Sequence, residues 1–296
     1  MSYTPTANSY FSGCGGLDVG IMQAGIKIQQ SIDLDPKATS TMELNPHYFG
    51  HPVITGDLTQ KTVLDQPDSD IMMFTYPCTK YSPIADIHGT RTGDELFLHA
   101  LRHIALKLPE MYVIENVPGM KKFKIVMEAM TKLPNYYYSV FCPLGATNWL
   151  PQKRDRLIVV ATKKAFSIPE PKPGLRPRLK DLLERDPRIH IPDCLVARLN
   201  GKYRDLPIIV DPEQPGALAP TCVAHYMKDL GTRVVKDNNS PVGVRPFTIR
   251  EYARLQGFPD DYIFRDEVYS YKLIGNAVAV PVGRWIGEQA IKYFNN

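Results

Sequence analysis

The chain has 296 residues, a formal net charge of +4, and 44% hydrophobic against 22% charged residues. That length supports one large core with a small second lobe, and the composition is that of an ordinary globular protein. So small a charge does not by itself indicate a nucleic-acid binder, and no apolar run is long enough for a bilayer. Residues 1–8 lack the basic start and apolar stretch of a secretory leader, so a cytosolic location is expected. The five cysteines, Cys14, Cys78, Cys142, Cys194 and Cys222, are widely spaced and form no Cys-x-x-Cys pair, which argues against a disulfide framework or a cysteine zinc site. His88, His99, His103 and His225 show no metal-ligand spacing, and no metal is expected.

In chain order, strand and helix patterns alternate from Asn8 to Thr162. Asn8 to Ser12 reads as a strand and Leu17 to Ala24 as a helix closed by Gly25. Ile26 to Ile32 reads as a second strand, and Asp35-Pro36 as an N-cap followed by proline at the first helical position. Val53-Ile54, Ile71 to Phe74, Tyr112 to Ile114, Tyr136 to Phe141 and Leu157 to Ala161 read as further strands. Asp94 to Lys107 and Lys121 to Leu133 read as helices. This alternation predicts an α/β fold, a mostly parallel sheet with helices on both faces. From about Lys163 to Val244 the periodicity fades into prolines and short apolar runs, which reads as a small irregular lobe. Helical order returns at Thr248, where Thr-x-x-Glu spacing to Glu251 fits a capping box, and a last helix is expected from about Pro281 to Phe294.

The residues that can carry chemistry lie at the ends of these strands. Phe11-Ser12-Gly13-Cys14-Gly15-Gly16 joins the first strand to the first helix at Leu17, and glycines there let a ligand approach the backbone. Asp33 and Asp57 end the next two strands, where acids can bind a nucleoside. The three together point to an adenosine-containing cofactor without separating NAD from S-adenosylmethionine. The turn lacks the third glycine of the dinucleotide fingerprint, since that position is Asp18. Tyr76-Pro77-Cys78 places a thiol just after Ile71 to Phe74. Glu115-Asn116-Val117 follows Tyr112 to Ile114, and Gln152-Lys153-Arg154-Asp155-Arg156 precedes Leu157 to Ala161. In a parallel sheet these groups are expected to share one edge. A thiol beside a cation favours the thiolate, and a partly buried carboxylate can hold a proton to donate.

With these blocks the chain resembles the cytosine-C5 DNA methyltransferases. The resemblance extends to Arg245-Pro246-Phe247-Thr248-Ile249-Arg250-Glu251, Leu255-Gln256-Gly257-Phe258-Pro259 and Gly275-Asn276-Ala277-Val278. It implies a Rossmann-like sheet of the class I methyltransferase type, with residues 1–162 and 247–296 as a discontinuous catalytic domain and 163–246 as a target-recognition lobe. It implies transfer of a methyl group from S-adenosylmethionine to C5 of a cytosine flipped out of duplex DNA, with S-adenosylhomocysteine as product. Cys78 would add to C6 of the base, Glu115 would hold N3 and the exocyclic amine, and Arg154 and Arg156 would position the base. Phe11 would face the adenine, Asp33 would bind the ribose, Asp57 would take the adenine amine, and Leu34 would pack on the ring. Ser12, Gly13, Cys14, Gly15, Gly16, Leu17, Leu58 and Pro77 would line the same cofactor site, completed by Asn276 and Ala277.

The recognition lobe implied by the resemblance is short. Thr221-Cys222 is similar to a Thr-Leu pair of the family. Lys80, Ser82, Gln152, Arg176, Arg178, Arg198, Lys202, Arg204, Thr221, Lys228 and Arg233 are the expected DNA contacts. Tyr76 and Thr79 depart from the family's Pro-Pro-Cys-Gln pattern beside the thiol. The expected state is a monomer on duplex DNA, with a cognate restriction endonuclease as a possible partner. Two alternatives stay open at this point: the same chemistry on structured RNA such as tRNA, and a nicotinamide-dependent oxidoreductase on a similar sheet.

Overall fold

The computed structural model describes residues 3–77, 96–187, 189–265 and 267–296. The chain divides into two compact units, residues 1–145, 155–171 and 280–296 in the first, and 146–154 and 172–279 in the second.

The first unit contains β1 (Thr6–Tyr10), α1 (Gly16–Gln23), β2 (Lys27–Asp33), α2 (Pro36–Glu43), β3 (Val53–Thr55) and β4 (Ile71–Phe74). It continues with α3 (Leu96–Lys107), β5 (Met111–Asn116), α4 (Lys124–Thr131), β6 (Tyr137–Gly145) and β7 (Asp155–Thr162). The strands form a seven-stranded sheet in the order β3-β2-β1-β4-β5-β7-β6. The first five are parallel, whereas β7 runs antiparallel to both β5 and β6. Asp35 caps α2 as expected, accepting a bond from Lys37 N at 3.0 Å with Pro36 at the first helical position.

Side chains alternate across the sheet and so build two faces. Tyr10, Ile32, Phe74, Tyr112, Ile114, Leu157 and Val159 point to one, where Ala100 and Ile104 of α3 and Val126 and Met130 of α4 complete a buried cluster. Tyr10 and Phe74 stack at 4.9 Å. Each such large side chain removed from water contributes roughly 1.5–3 kcal/mol. Ser9 and Ser31, at the alternate positions of β1 and β2, turn to the opposite face and meet α1. The C-terminal helix of this unit, Val280–Phe294, lies against α1 at very short range. A Cβ at Gly20 would stand 2.2 Å from Val280 O, so a bare backbone is required there.

The second unit holds α5 (Asp193–Asn200), β8 (Ile208–Val210), β9 (Arg233–Lys236), β10 (Val244–Pro246), α6 (Ile249–Leu255) and α7 (Glu267–Asn276), which makes the Val280–Phe294 helix α8. The lobe expected to be irregular therefore has its own three-stranded sheet, in the order β10-β9-β8. A small core of Leu195, Val234 and Val244 supports it. Residues 247–279 group with this unit rather than with the large sheet. The capping box at Thr248 and Glu251 is formed, and Glu251 also receives the buried guanidinium of Arg245 at 2.7 Å. Tyr226 and Tyr252 stack at 4.7 Å, tying α6 to the lobe.

Candidate active site

The Gly-rich turn after β1 is held in a backbone shape few residues adopt. Phe11, Gly13 and Gly15 all have positive φ, at 59°, 57° and 75°. Such a conformation is costly for Phe11 and is kept only where neighbours hold it. Here Thr75 Oγ1 donates to Phe11 O at 2.7 Å, and the Phe11 ring meets the buried Tyr76 edge-on at 6.1 Å. Gly13 N donates to Asp33 Oδ2 at 2.7 Å, and Asp35 N to Asp33 Oδ1 at 2.8 Å. Both oxygens of this half-buried carboxylate are thus oriented by main-chain donors. Gly56 N reaches Asp33 O at 2.9 Å and joins the end of β2 to the turn that carries Asp57. Hydrogen bonds from Thr59 hold the Asp57 carboxyl below the usual range.

The remaining expected cofactor contacts separate into two kinds. Leu34 is 65% exposed beside Asp33, an apolar surface open to a ligand, and Pro77 is exposed after β4. The side chains of Cys14, Leu17 and Leu58 instead belong to the interior, so these residues can offer a ligand only their backbone. Burial pushes the Cys14 thiol well up, which keeps it neutral and unreactive.

Under the turn lies a group of polar side chains that the sequence reading missed. Asp18 of α1 is fully buried and accepts Ser9 Oγ at 2.6 Å and Ser31 Oγ at 2.7 Å. Ser12 Oγ donates to Ser9 Oγ at 2.9 Å, and His51 Nε2 stands 2.8 Å from Ser31 Oγ. Serines at inward positions of two strands that should be apolar were the available signal.

Glu115 and Arg156 are brought together by strand direction. Glu115 of β5 lies opposite Ile158 of β7, and Arg156 is two residues from Ile158 on the same face, a diagonal neighbour. Arg156 Nε meets Glu115 Oε1 at 2.9 Å, with both side chains largely buried. The expectation that a parallel strand would gather these groups is corrected: a parallel β7 would carry its first residues to the far edge, and the antiparallel run is what places Arg156 beside the end of β5. Next to Glu115, Asn116 Nδ2 donates to Tyr76 O at 3.1 Å and so ties the end of β5 to the segment two residues before Cys78. Cys78, Lys80 and Ser82 lie outside the described residues.

Arg154, in the second unit, has a different task from the one expected. It is 2% exposed, and its guanidinium donates to Cys222 O at 2.9 Å, Gly275 O at 3.0 Å and Ala277 O at 2.6 Å. Gln152 is likewise corrected from DNA contact to internal strut. It is fully buried, donates to Leu255 O and accepts from Cys222 N. Thr221 Oγ1 closes on Lys153 O. A Cβ at Gly275 would lie 2.4 Å from Val223 C, so the last turn of α7 needs a residue without a side chain there to approach that backbone. Asn276 is exposed, and Ala277 is buried with its carbonyl shared by Arg154 and Gln256.

Among the expected DNA contacts of this unit, Arg178 pairs with Asp181 at 2.8 Å and Arg198 with Asp229 at 2.7 Å. Arg204 stands 3.9 Å from Asp205, and Arg176 donates to Thr147 O. Lys202 lies over the Tyr203 ring, Lys228 is exposed, and Arg233 reaches Thr232 Oγ1. Among the described residues no His, Cys, Asp or Glu side chains are grouped as a metal site requires, and no helix is long and apolar enough to cross a membrane.

The fold is shared with solved methyltransferases. The Entamoeba histolytica methyltransferase EhMeth superposes with a TM-score of 0.77 at 19% identity, covering 99% of this chain and 98% of that one. The S. pombe Dnmt2 methyltransferase superposes at 0.76 and 20%, covering 99% and 100%. The large sheet thus belongs to a fold that these methyltransferases share. In sequence the chain is 29% identical to the Type II methyltransferase M.Bsp6I of Bacillus sp. (strain RFL6), over 96% of this chain and 98% of that relative. It is 31% identical to the Type II methyltransferase M.NlaX of Neisseria lactamica, over 94% of each. The chain belongs to the C-5 cytosine-specific DNA methylase family, matched over residues 6–292. It is an enzyme of the DNA cytosine-5-methyltransferase type, and the oxidoreductase alternative falls away.

Proposed function

We propose that this protein methylates C5 of a cytosine flipped out of duplex DNA, using S-adenosylmethionine and a covalent bond from Cys78 to C6. The observation that carries this reading is the Arg156–Glu115 pair at the end of β5, beside the Asn116–Tyr76 bond that anchors the approach to Cys78. A stacked base cannot reach such groups, so the base leaves the duplex.

Each residue then has a defined part. Cys78 adds through its sulfur to C6, which turns C5 into the nucleophilic carbon of an enamine. Glu115 accepts the exocyclic amine and holds N3 as charge develops. Arg156 fixes the orientation of that carboxylate, and its guanidinium is the donor nearest the pyrimidine oxygen. After methylation the C5 proton passes to solvent, its bonding pair forms the C5–C6 double bond, and the C6–S bond breaks so that Cys78 departs as thiolate.

The Gly-rich turn fits the donor. Asp33 presents a carboxylate already oriented by Gly13 N and Asp35 N, suited to ribose hydroxyls, and exposed Leu34 offers an apolar face to adenine. Asp57 is held ionised and can accept the adenine amine. When bound, S-adenosylmethionine supplies an electrophilic methyl group and leaves as S-adenosylhomocysteine. The Type II names of the relatives support a cytoplasmic enzyme acting with a restriction endonuclease of the same site. Incubation with labelled S-adenosylmethionine and either duplex DNA or tRNA tests the substrate. Label on C5 of cytosine in duplex DNA is expected. Label on tRNA alone would move the substrate to RNA, and label on neither would overturn the reading. Bisulfite sequencing of DNA from an expressing host reports the target sequence as well.

A further inference from the structure

The buried Asp18 takes no part in the chemistry above, yet with its carboxylate ionised the hydrogen-bond directions around it follow one from another. A serine hydroxyl has one proton to give. Ser9 gives its proton to Asp18 Oδ1, so the 2.9 Å contact with Ser12 makes Ser12 the donor and Ser9 the acceptor. Ser12, with its proton committed, has lone pairs left and accepts Ile32 N at 3.1 Å. Ser31 gives its proton to Asp18 Oδ2, so His51 must donate to it through Nε2–H. Protons therefore point to Asp18 from the turn on one side and from His51 on the other. An ionised carboxylate accepts both serines. A neutral one carries a proton on one oxygen, and a serine must reverse to receive it. Reversal through Ser9 would push the Ser12 proton towards Ile32 O, 3.3 Å away, and displace the bond from Ile32 N.

We propose that Asp18 is a positioning residue for the cofactor turn: its charge sets Ser9, Ser9 sets Ser12, and Ser12 fixes the turn from which Gly13 N orients Asp33. The inference rests on the reading of that turn as the S-adenosylmethionine site. Its physical basis is a completely buried carboxylate whose two oxygens are satisfied by donors from two strands, one of them the strand that leads into the turn.

Among the described residues the other titratable groups near Asp18 are few. Asp33 comes from β2, Cys14 from the turn, and His51 from the segment before β3. On α8, packed against α1, Arg284 is paired with Glu288. Burial raises the Asp18 carboxyl to about 6, with the negative charge of Asp33 adding to the rise and the two serine bonds opposing it. The relay is then intact above that pH and is lost below it.

Calorimetric titration with S-adenosylhomocysteine between pH 5 and 8, on the full chain, tests this. The wild type should bind about tenfold more weakly at pH 5 than at pH 7.5. Asp18→Asn should bind about tenfold more weakly at pH 7.5, and its affinity should no longer change across that range. Ser9→Ala, which keeps Asp18 and Ser31, should show the same flattening with a loss of about fivefold, and carries the test if Asp18→Asn does not fold. Folded variants with wild-type affinity and an unchanged pH profile would overturn the role of Asp18. A wild type that binds no S-adenosylhomocysteine at any pH would instead overturn the assignment of the turn as a cofactor site.

Discussion

The Gly-rich turn of the first unit and the Gln152–Arg154 strap of the second both bury polar side chains, but they use them in opposite ways. Around the turn, hydroxyls and main-chain N–H groups converge on two carboxylates, and one of these, Asp33, stays half-exposed with its oxygens oriented. In the strap, an amide and a guanidinium donate to main-chain carbonyls of Leu255, Cys222, Gly275 and Ala277. Side chains consumed by carbonyls stiffen the chain, whereas side chains that meet an accessible carboxylate can serve a ligand. Arg154 and Arg156, two positions apart in one motif, fall on either side of this division.

The strongest way to test the division is through the groups proposed to react. Cys78→Ser should lower methyl transfer by at least about 10³-fold while S-adenosylhomocysteine binding persists, read by single-turnover assay and calorimetry. Glu115→Gln should lower kcat by about 10²-fold or more and keep cofactor affinity. The two arginines should then separate. Arg154→Ala removes the donor of three buried carbonyls, and should cost about 3 kcal/mol in urea denaturation. Arg156→Ala should cost nearer about 1 kcal/mol yet reduce kcat by roughly 10²-fold. An Arg154 variant of normal stability without activity would break the comparison.

A smaller effect concerns pH. Burial lowers His103 to about 4, so its contribution to stability is present above its unfolded value of 6.5 and is lost as pH falls towards 4. Asp18 is raised from 3.8 to about 6, so its contribution is present below 3.8 and is lost as pH rises through 6. The two slopes oppose each other in the same window. His103→Gln should therefore gain stability at pH 4.5 relative to pH 7 by about 1–2 kcal/mol compared with the wild type, measured by urea titration at both values.

Local signals were read directly from the chain where one residue's chemistry suffices. Asp35-Pro36 and the Thr248–Glu251 box cap the helices they were expected to cap, and Ile71–Phe74 is a strand with those bounds. The short strands of the lobe were missed because three or four residues show no period, and Ile208 and Ile209 are both about half exposed. Asp18 escaped notice because one acid in a helix usually faces water, and its burial depends on serines from two other elements. The partners of Gln152 and Arg154 were beyond reach for the same reason: a motif's spacing does not show whether its donors meet a ligand or distant carbonyls. Strand direction mattered most for Glu115 and Arg156, whose meeting depends on β7 running against β5.

The bare face of Gly20 has a consequence for how the molecule is made. α1 can reach its final depth only when Gly20 and Leu17 receive α8, whose Gly283 is equally bare at the contact. The ribosome delivers α8 only after the whole second unit has been synthesised. The helix that carries Asp18, and with it the turn that orients Asp33, is therefore completed only after translation has passed through the elements between α1 and α8. Nascent chains lacking α8 should leave the Gly20 face of α1 uncovered, and competence to bind cofactor should arrive late and in one step rather than strand by strand.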